Sequence, residues 1–300
     1  MRRSSSRTSR AFTLIEVTAV ITIMAILAIG VSVFLRLPLQ AYQDAQRRAS
    51  MSDAADTAFT MLKRDLQRAL PNSVRVRSVG AAYYLEFLQV RTGGRYRADE
   101  PNPRAPAGGN TCPDADGDTF ANENVLQFGI ADTCLATLGA VQGLTSIIPN
   151  RDFLVVYNLG LGFPAADAYA SAAGSNRSLI TAVAAGAAGE NVIAFQGHAF
   201  TLESPARRFH VISGPVTYAC DPVAGVVRRY AAYAIAAAQP APPAGAFSLL
   251  TDGIDACSIT YDQNPANQRT GVVSVWLRFA DPAGGAAVSL FQQVQVSNEP

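Results

Sequence analysis

The apolar run from Phe12 to Leu35, within "RTSRAFTLIEVTAVITIMAILAIGVSVFLRLP", constrains this chain more than any other feature. At 1.5 Å per residue it makes roughly 36 Å of helix, enough to cross the apolar part of a bilayer. One charge, Glu16, interrupts it. A carboxylate at the centre of such a helix costs about 2.5–3.5 kcal/mol on insertion scales, so its presence asks for a partner or a use. Arg2, Arg3, Arg7 and Arg10 precede the run and no acid does. Basic residues before an apolar segment hold that end in the cytoplasm and send the remainder across. A secretory signal would have an apolar core of about 7–15 residues and a small-residue cleavage site after it. This run is longer and no such site follows, so it reads as a retained single span of an inner membrane, with the C-terminal part in the periplasm.

The chain has 300 residues, enough for one large domain or two small ones with a sizeable core. Its formal net charge is +1, and without the four early arginines the balance is slightly acidic. Bulk charge therefore points to no nucleic-acid partner. Four cysteines are present, Cys112, Cys134, Cys220 and Cys257. In an exported domain an even number implies disulfides. Three pairings are open, and pairing of sequence neighbours, Cys112–Cys134 and Cys220–Cys257, is the simplest. Zinc is not expected, because there is no C-x-x-C and only two histidines, His198 and His210.

Helical character continues beyond Leu35. Pro38 lacks an N–H and should kink the helix rather than end it, since good helix formers resume at once. Tyr42, Ala45, Ala49, Ala55, Phe59, Leu62, Leu66 and Ala69 fall at steps of three and four over most of their length, which is one helical stripe. The opposite face carries Arg47, Arg48, Asp53, Asp56, Lys63, Arg64, Asp65 and Arg68. A single helix from Phe12 to Leu70 would be on the order of 90 Å long. From Ser73 the period becomes two. "SVRVRSV", "YYLEFLQV" and "DFLVVYNLG" read as strands. So do segments on either side of a turn at Asp221–Gly225, and a last hairpin, "GVVSVWLRF" with "AAVSLFQQVQV". The stretch from Arg91 to Phe120 reads as a long loop, and residues 164–190, rich in Ala, Gly and Ser, as irregular. The fold class is α+β: a long N-terminal helix, apolar in its first half and amphipathic in its second, packed on a mostly antiparallel β domain.

Few residues offer themselves for chemistry. Asp114, Asp116 and Asp118 have the 1, 3, 5 spacing that opens a calcium loop. Thr119 replaces the sharp-turn glycine and Val125 stands where a bidentate Glu is needed, so a solvated turn is the better reading. No cofactor is expected. His198 and His210 have no carboxylate close in sequence and read as structural or surface residues. No nucleophile elbow or P-loop occurs, so an enzyme is not expected. The pairs Arg207-Arg208 and Arg228-Arg229 fit strand-edge or salt-bridge positions better than a DNA-binding patch.

"R-A-F-T-L-I-E" followed by the uninterrupted apolar helix resembles the prepilin signature of type IV pilins and type II secretion pseudopilins. The resemblance implies that a prepilin peptidase and methyltransferase cuts between Ala11 and Phe12 and methylates the new terminus at Phe12. Glu16 then occupies the fifth mature position, where it can meet the Phe12 amine of a neighbouring subunit. Ala11 stands where the family usually has glycine, so slower processing is expected. On this pattern residues 1–11 are a basic leader, 12–35 a membrane or filament-core segment, 36–70 its amphipathic continuation and 71–300 a periplasmic domain. Blocks scattered over residues 12–235, among them "DFLVVYNLG", "NVIAFQGHAFTLESPARRFHVISGPVTYAC" and "GVVRRY", resemble the MshO-like minor pilins of mannose-sensitive haemagglutinin (MSHA) pili. That implies an accessory, priming or tip subunit, with other pilins, the inner-membrane assembly platform and, before assembly, membrane lipid as partners. The alternatives are a type II secretion pseudopilin, a tip adhesin or other ligand-binding module, and an anchored periplasmic enzyme.

Overall fold

A computed structural model of the chain describes residues 13–97, 112, 125–170, 175–186, 189–263, 269–281 and 284–300. The leader, Ala11 and Phe12 lie outside the described residues, as do Asp114, Asp116 and Asp118. The chain divides into two units, Met1–Met51 and Ser52–Pro300.

The N-terminal helix α1 spans Leu14–Leu66, with Pro38 inside it. In the first unit its apolar residues lie all round the helix and are exposed from Leu14 to Val31, and again at Phe34. The hydroxyls in this stretch return to the helix's own carbonyls: Thr18 donates to Ile15 O at 2.9 Å, Thr22 to Thr18 O at 3.0 Å and Ser32 to Ala28 O at 2.6 Å. Such back-bonding leaves no hydroxyl proton that needs water. Tyr42, Ala45 and Ala49, read from the sequence as the start of the buried stripe, are exposed. In the second unit the buried helix residues are Ala55, Ala58, Phe59, Leu62, Asp65 and Leu66. Periodicity says which residues share a face; it does not say where along the helix the covering surface begins. The helix also stops short of Leu70. Arg68 and Ala69 close it with bonds to Asp65 O and Leu66 O, and then Leu70 N donates to Leu88 O and Val90 N to Arg68 O. Leu70 N is the first backbone donor past Leu66 to find a strand.

That strand is one of twelve among the described residues: β1 (Arg75–Val79), β2 (Ala82–Arg95), β3 (Asp132–Ala136), β4 (Phe153–Val156), β5 (Arg177–Ala185), β6 (Asn191–His198), β7 (Arg208–Asp221), β8 (Val226–Ala231), β9 (Ala246–Asp252), β10 (Ile254–Gln263), β11 (Thr270–Phe279) and β12 (Val288–Ser297). Nine form one sheet in the order β1-β2-β7-β4-β5-β6-β3, with β8 added to β7 and β9 to β8; β10-β11-β12 form another. The registered pairs are antiparallel, β2 with β7 running from Tyr83↔Cys220 to Arg95↔Arg208. The turn at Asp221–Gly225 is held by the Asp221 carboxylate, which accepts from Val223 N and Ala224 N at 3.0 Å. In β12, Val294 and Val296 are buried on one face. The core centres on Phe87, Tyr96, Leu154, Phe200 and Phe209, all fully buried.

Two expectations for the strands fail. The loop expected from Arg91 begins later, because β2 runs on through Gly93 and Gly94. A Cβ at Gly93 would lie 2.8 Å from Phe209 O, and one at Gly94 2.9 Å from the Phe209 ring. These glycines permit close packing against β7; they do not mark a turn. Residues 164–190, expected to be irregular, contain β5, with Ser178 and Ile180 buried. Alanine weakens the local strand preference there, and pairing with β4 and β6 overrides it.

Cys112 is bonded to Cys134, with Cα atoms 5.8 Å apart, and Cys220 to Cys257 at 6.6 Å. The second bond joins β7 of the large sheet to β10 of the small one.

Candidate functional site

The segment that offers itself to other molecules is Leu14–Ser32, with mean hydropathy 2.5 and no part buried. Glu16 lies in the first turn of α1. The first N–H groups of a helix have no intrahelical partner and carry partial positive charge, so the helix start itself favours a carboxylate there. That lowers the cost of Glu16 without giving it a partner: no described residue pairs with its side chain. An exposed apolar helix with an acid near its start can enter a bilayer or a bundle of like helices, and it has one charge left to direct the docking.

In the second unit Asp65 ties the helix to the sheet. It accepts from Arg229 Nε at 2.7 Å and from the Tyr218 hydroxyl at 2.8 Å, and is 4% exposed. Burial, and next the Asp65 charge, push the Tyr218 phenol well above its ordinary pKa. The hydroxyl therefore stays a donor to the carboxylate. The sequence places Asp65 on the polar face, which the structure corrects. Its signal was present, for Asp65 stands three residues after Leu62 and next to Leu66, at stripe spacing. Arg229 points to this acid, and its neighbour Arg228 lies 5.1 Å from the Phe247 ring. A second buried pair joins Arg75 to Glu86. Arg75 also donates to Ala237 O at 2.7 Å and Ala236 O at 2.9 Å, and its guanidinium lies 3.6 Å from the Tyr169 ring centre. Glu86 accepts from Tyr233 OH at 3.1 Å. Burial pushes the Glu86 carboxyl above its ordinary pKa, against the pull of Arg75. Sequence reasoning did not single out Arg75 or Glu86.

The two histidines lie apart. His198 Nε2 is 2.6 Å from Ser175 O, and its ring stands edge-on to Phe200. His210, half-buried on β7, has no hydrogen-bond partner for Nε2 among the described residues. Burial, and next the Arg208 charge, pull its pKa down to about 4 from 6.5. The unfolded imidazole takes up its proton near pH 6.5 and the folded one only near 4. Between those values the unfolded chain holds more protons, so stability falls as the pH drops. We expect a loss of about 1–3 kcal/mol across that window, allowing for the partial exposure. Urea midpoints read at pH 7 and pH 4 for wild type and His210→Asn should show it, with the smaller drop in the variant.

Among the described residues no group of three His, Cys, Asp or Glu side chains is placed to hold a metal ion.

The family described as the prokaryotic N-terminal methylation motif matches residues 6–32. The match takes in the second half of the basic leader, with Arg7 and Arg10, then Phe12, Glu16 and the exposed apolar span. Together with that span it supports a type IV pilin-like protein, and it implies processing by prepilin peptidase, assembly with other pilins and anchoring in a membrane. No curated protein and no solved structure matches the chain.

Proposed function

We propose that this chain is a minor pilin of a type IV pilus, of the MSHA type, acting as an accessory, priming or tip subunit. The observation that carries the reading is the methylation motif at residues 6–32 joined to an apolar helix that nothing in the structure covers. Before assembly that helix holds the subunit in the inner membrane. On assembly it passes from lipid into a bundle of similar helices. Lipid and bundle are comparably apolar, so the transfer need not carry the full hydrophobic cost. Glu16 then meets the Phe12 amine of a neighbour, and Pro38 lets the helix bend. The chain works by assembly, without catalysis and without a cofactor. The β domain is large for a shaft that repeats closely, which favours a filament end.

The mature N-terminus tests this directly. Mass spectrometry of the protein recovered from membranes should give a chain beginning at N-methylated Phe12. A chain that begins at Met1, or one that has lost residues up to Leu35, would refute it. A deletion strain separates the pilus reading from the secretion one: surface pili should fall while type II secretion continues.

A further inference from the structure

A cavity of about 640 Å³ opens in the second unit where the chain entering β1, the turn after β4, the end of β10 and the chain after β12 meet. Its size is that of a small-molecule site, roughly 300–1,000 Å³. We propose that it binds a neutral oligosaccharide.

The cavity's polar groups are fixed before any ligand arrives. Asn72, at φ 59, donates its side-chain amide to Asn158 O at 2.9 Å and to Asn298 O at 3.1 Å. Its Oδ1 remains to accept from a ligand. Asn298 is 4% exposed, and its amide holds the Tyr261 hydroxyl at 3.1 Å. The Tyr261 ring lies across the backbone of Gly271, where a Cβ would come within 2.6 Å of it. Gln263, exposed at the end of β10, adds a free amide to the rim.

The apolar wall is equally deliberate. Gly160 and Gly162 turn the chain at φ 84 and 97. Leu159 N and Gly160 N both donate to Ala166 O, at 2.8 and 3.1 Å. A Cβ at Gly160 would lie 2.4 Å from Asn72 O, so the turn is pressed against the Asn72 backbone. It holds Leu161 and Phe163 outward, 62% and 55% exposed. A hydrogen-bonded turn that presents two large apolar side chains beside an oriented amide is a poor surface for water alone.

Charge selects the ligand class. Among the described lining residues Arg75 is the one charged side chain. Glu86 neutralises it, and its guanidinium covers Tyr169. Among these described residues an anion finds no free cation and a cation finds no free carboxylate. Neutral amides and a phenol interleaved with aliphatic and aromatic surface suit an uncharged ligand whose hydroxyls alternate with C–H faces. That is the surface of a sugar chain, and the volume suits about two or three rings.

The experiment presents a panel of neutral and sialylated oligosaccharides to the full chain in detergent micelles, by array and then by saturation-transfer NMR. At least one neutral oligosaccharide should bind. Phe163→Ala and Gln263→Ala, both at exposed positions that the fold does not need, should each weaken it about tenfold. Phe291→Ala, on the exposed face of β12 outside the cavity, should leave it unchanged. Binding of no neutral oligosaccharide, binding of sialylated ones alone, or equal binding by both cavity variants overturns the proposal. The site does not rest on the pilin reading, and pilus counts in a Phe163→Ala strain keep the two apart.

Discussion

Asp65→Ala will lower the stability of the folded chain by about 3–5 kcal/mol. Asp65 is buried, and its carboxylate is the partner of both Arg229 Nε and the Tyr218 hydroxyl. Truncation leaves a half-buried guanidinium with no counter-charge and a buried phenol with no acceptor. The penalty is the desolvation of what remains, which exceeds the net worth of the pair itself. Two further variants separate these effects. Asp65→Asn keeps an acceptor for Tyr218 and loses the charge, and should cost less than Asp65→Ala. The triple replacement Asp65→Leu, Tyr218→Phe, Arg229→Met removes the phenol and the guanidinium, leaves only the longer contact from Gln89 Nε2, 3.4 Å from Asp65 in the wild type, without its acceptor, and should recover part of the loss. Urea unfolding in detergent, followed by the fluorescence of the single tryptophan, Trp276 on β11, gives all three midpoints. A wild-type midpoint for Asp65→Ala would show that the helix is held to the sheet by apolar packing of Phe59, Leu62 and Leu66 alone.

The example shows what could be read from the sequence and what could not. The apolar helix and the antiparallel β domain were legible because they depend on local patterns: an unbroken apolar run, and later alternation. The hairpin of β11 and β12 and the turn at Asp221 were legible for the same reason. The continuation of β2 through Gly93 and Gly94 was not, because those glycines answer to Phe209 and not to their own neighbours in the chain. β5 was missed because its pairing with β4 and β6 outweighs a weak local preference. Two partners of Asp65, Tyr218 and Arg229, lie 153 and 164 residues away, at positions set by the pairing of β7 with β8. An acid at stripe spacing announced a buried position, but nothing local named Arg229 as its counter-charge.

The N-terminal motif is the opposite case. A processing enzyme meets it as a short linear segment, so its residue types and spacing carry the information without a folded context. That is why a match confined to residues 6–32 can speak to processing and membrane anchoring while it leaves the partners of the β domain open. The Asn72, Tyr261 and Asn298 contacts that shape the cavity join segments up to 226 residues apart, and no local pattern foretold them.

If the chain is the pilin subunit proposed above, Glu16→Ala will leave it in the membrane and keep it out of the filament. In the bilayer the substitution removes a charge that costs about 2.5–3.5 kcal/mol near a helix centre, so insertion should be as good as wild type or better. On the pilin reading the peptidase cut lies ahead of Phe12, and the chain should still begin there. Assembly differs, because on the pilin reading the carboxylate of one subunit meets the Phe12 amine of the next in an apolar surrounding. Without it that amine is buried unpaired, at a cost of about 3–5 kcal/mol. At about 1.4 kcal/mol per tenfold, incorporation should fall by roughly a hundredfold to a few thousandfold. Glu16→Gln keeps the shape and a hydrogen-bond acceptor, loses the charge, and should fall between the two. The measurement is the ratio of this subunit in sheared filaments to that in membranes, with the mature N-terminus checked in each variant. Equal incorporation of Glu16→Ala and wild type would mean that the acid serves the helix start alone, through the partial charge of its first N–H groups, and that other contacts set the register of the bundle.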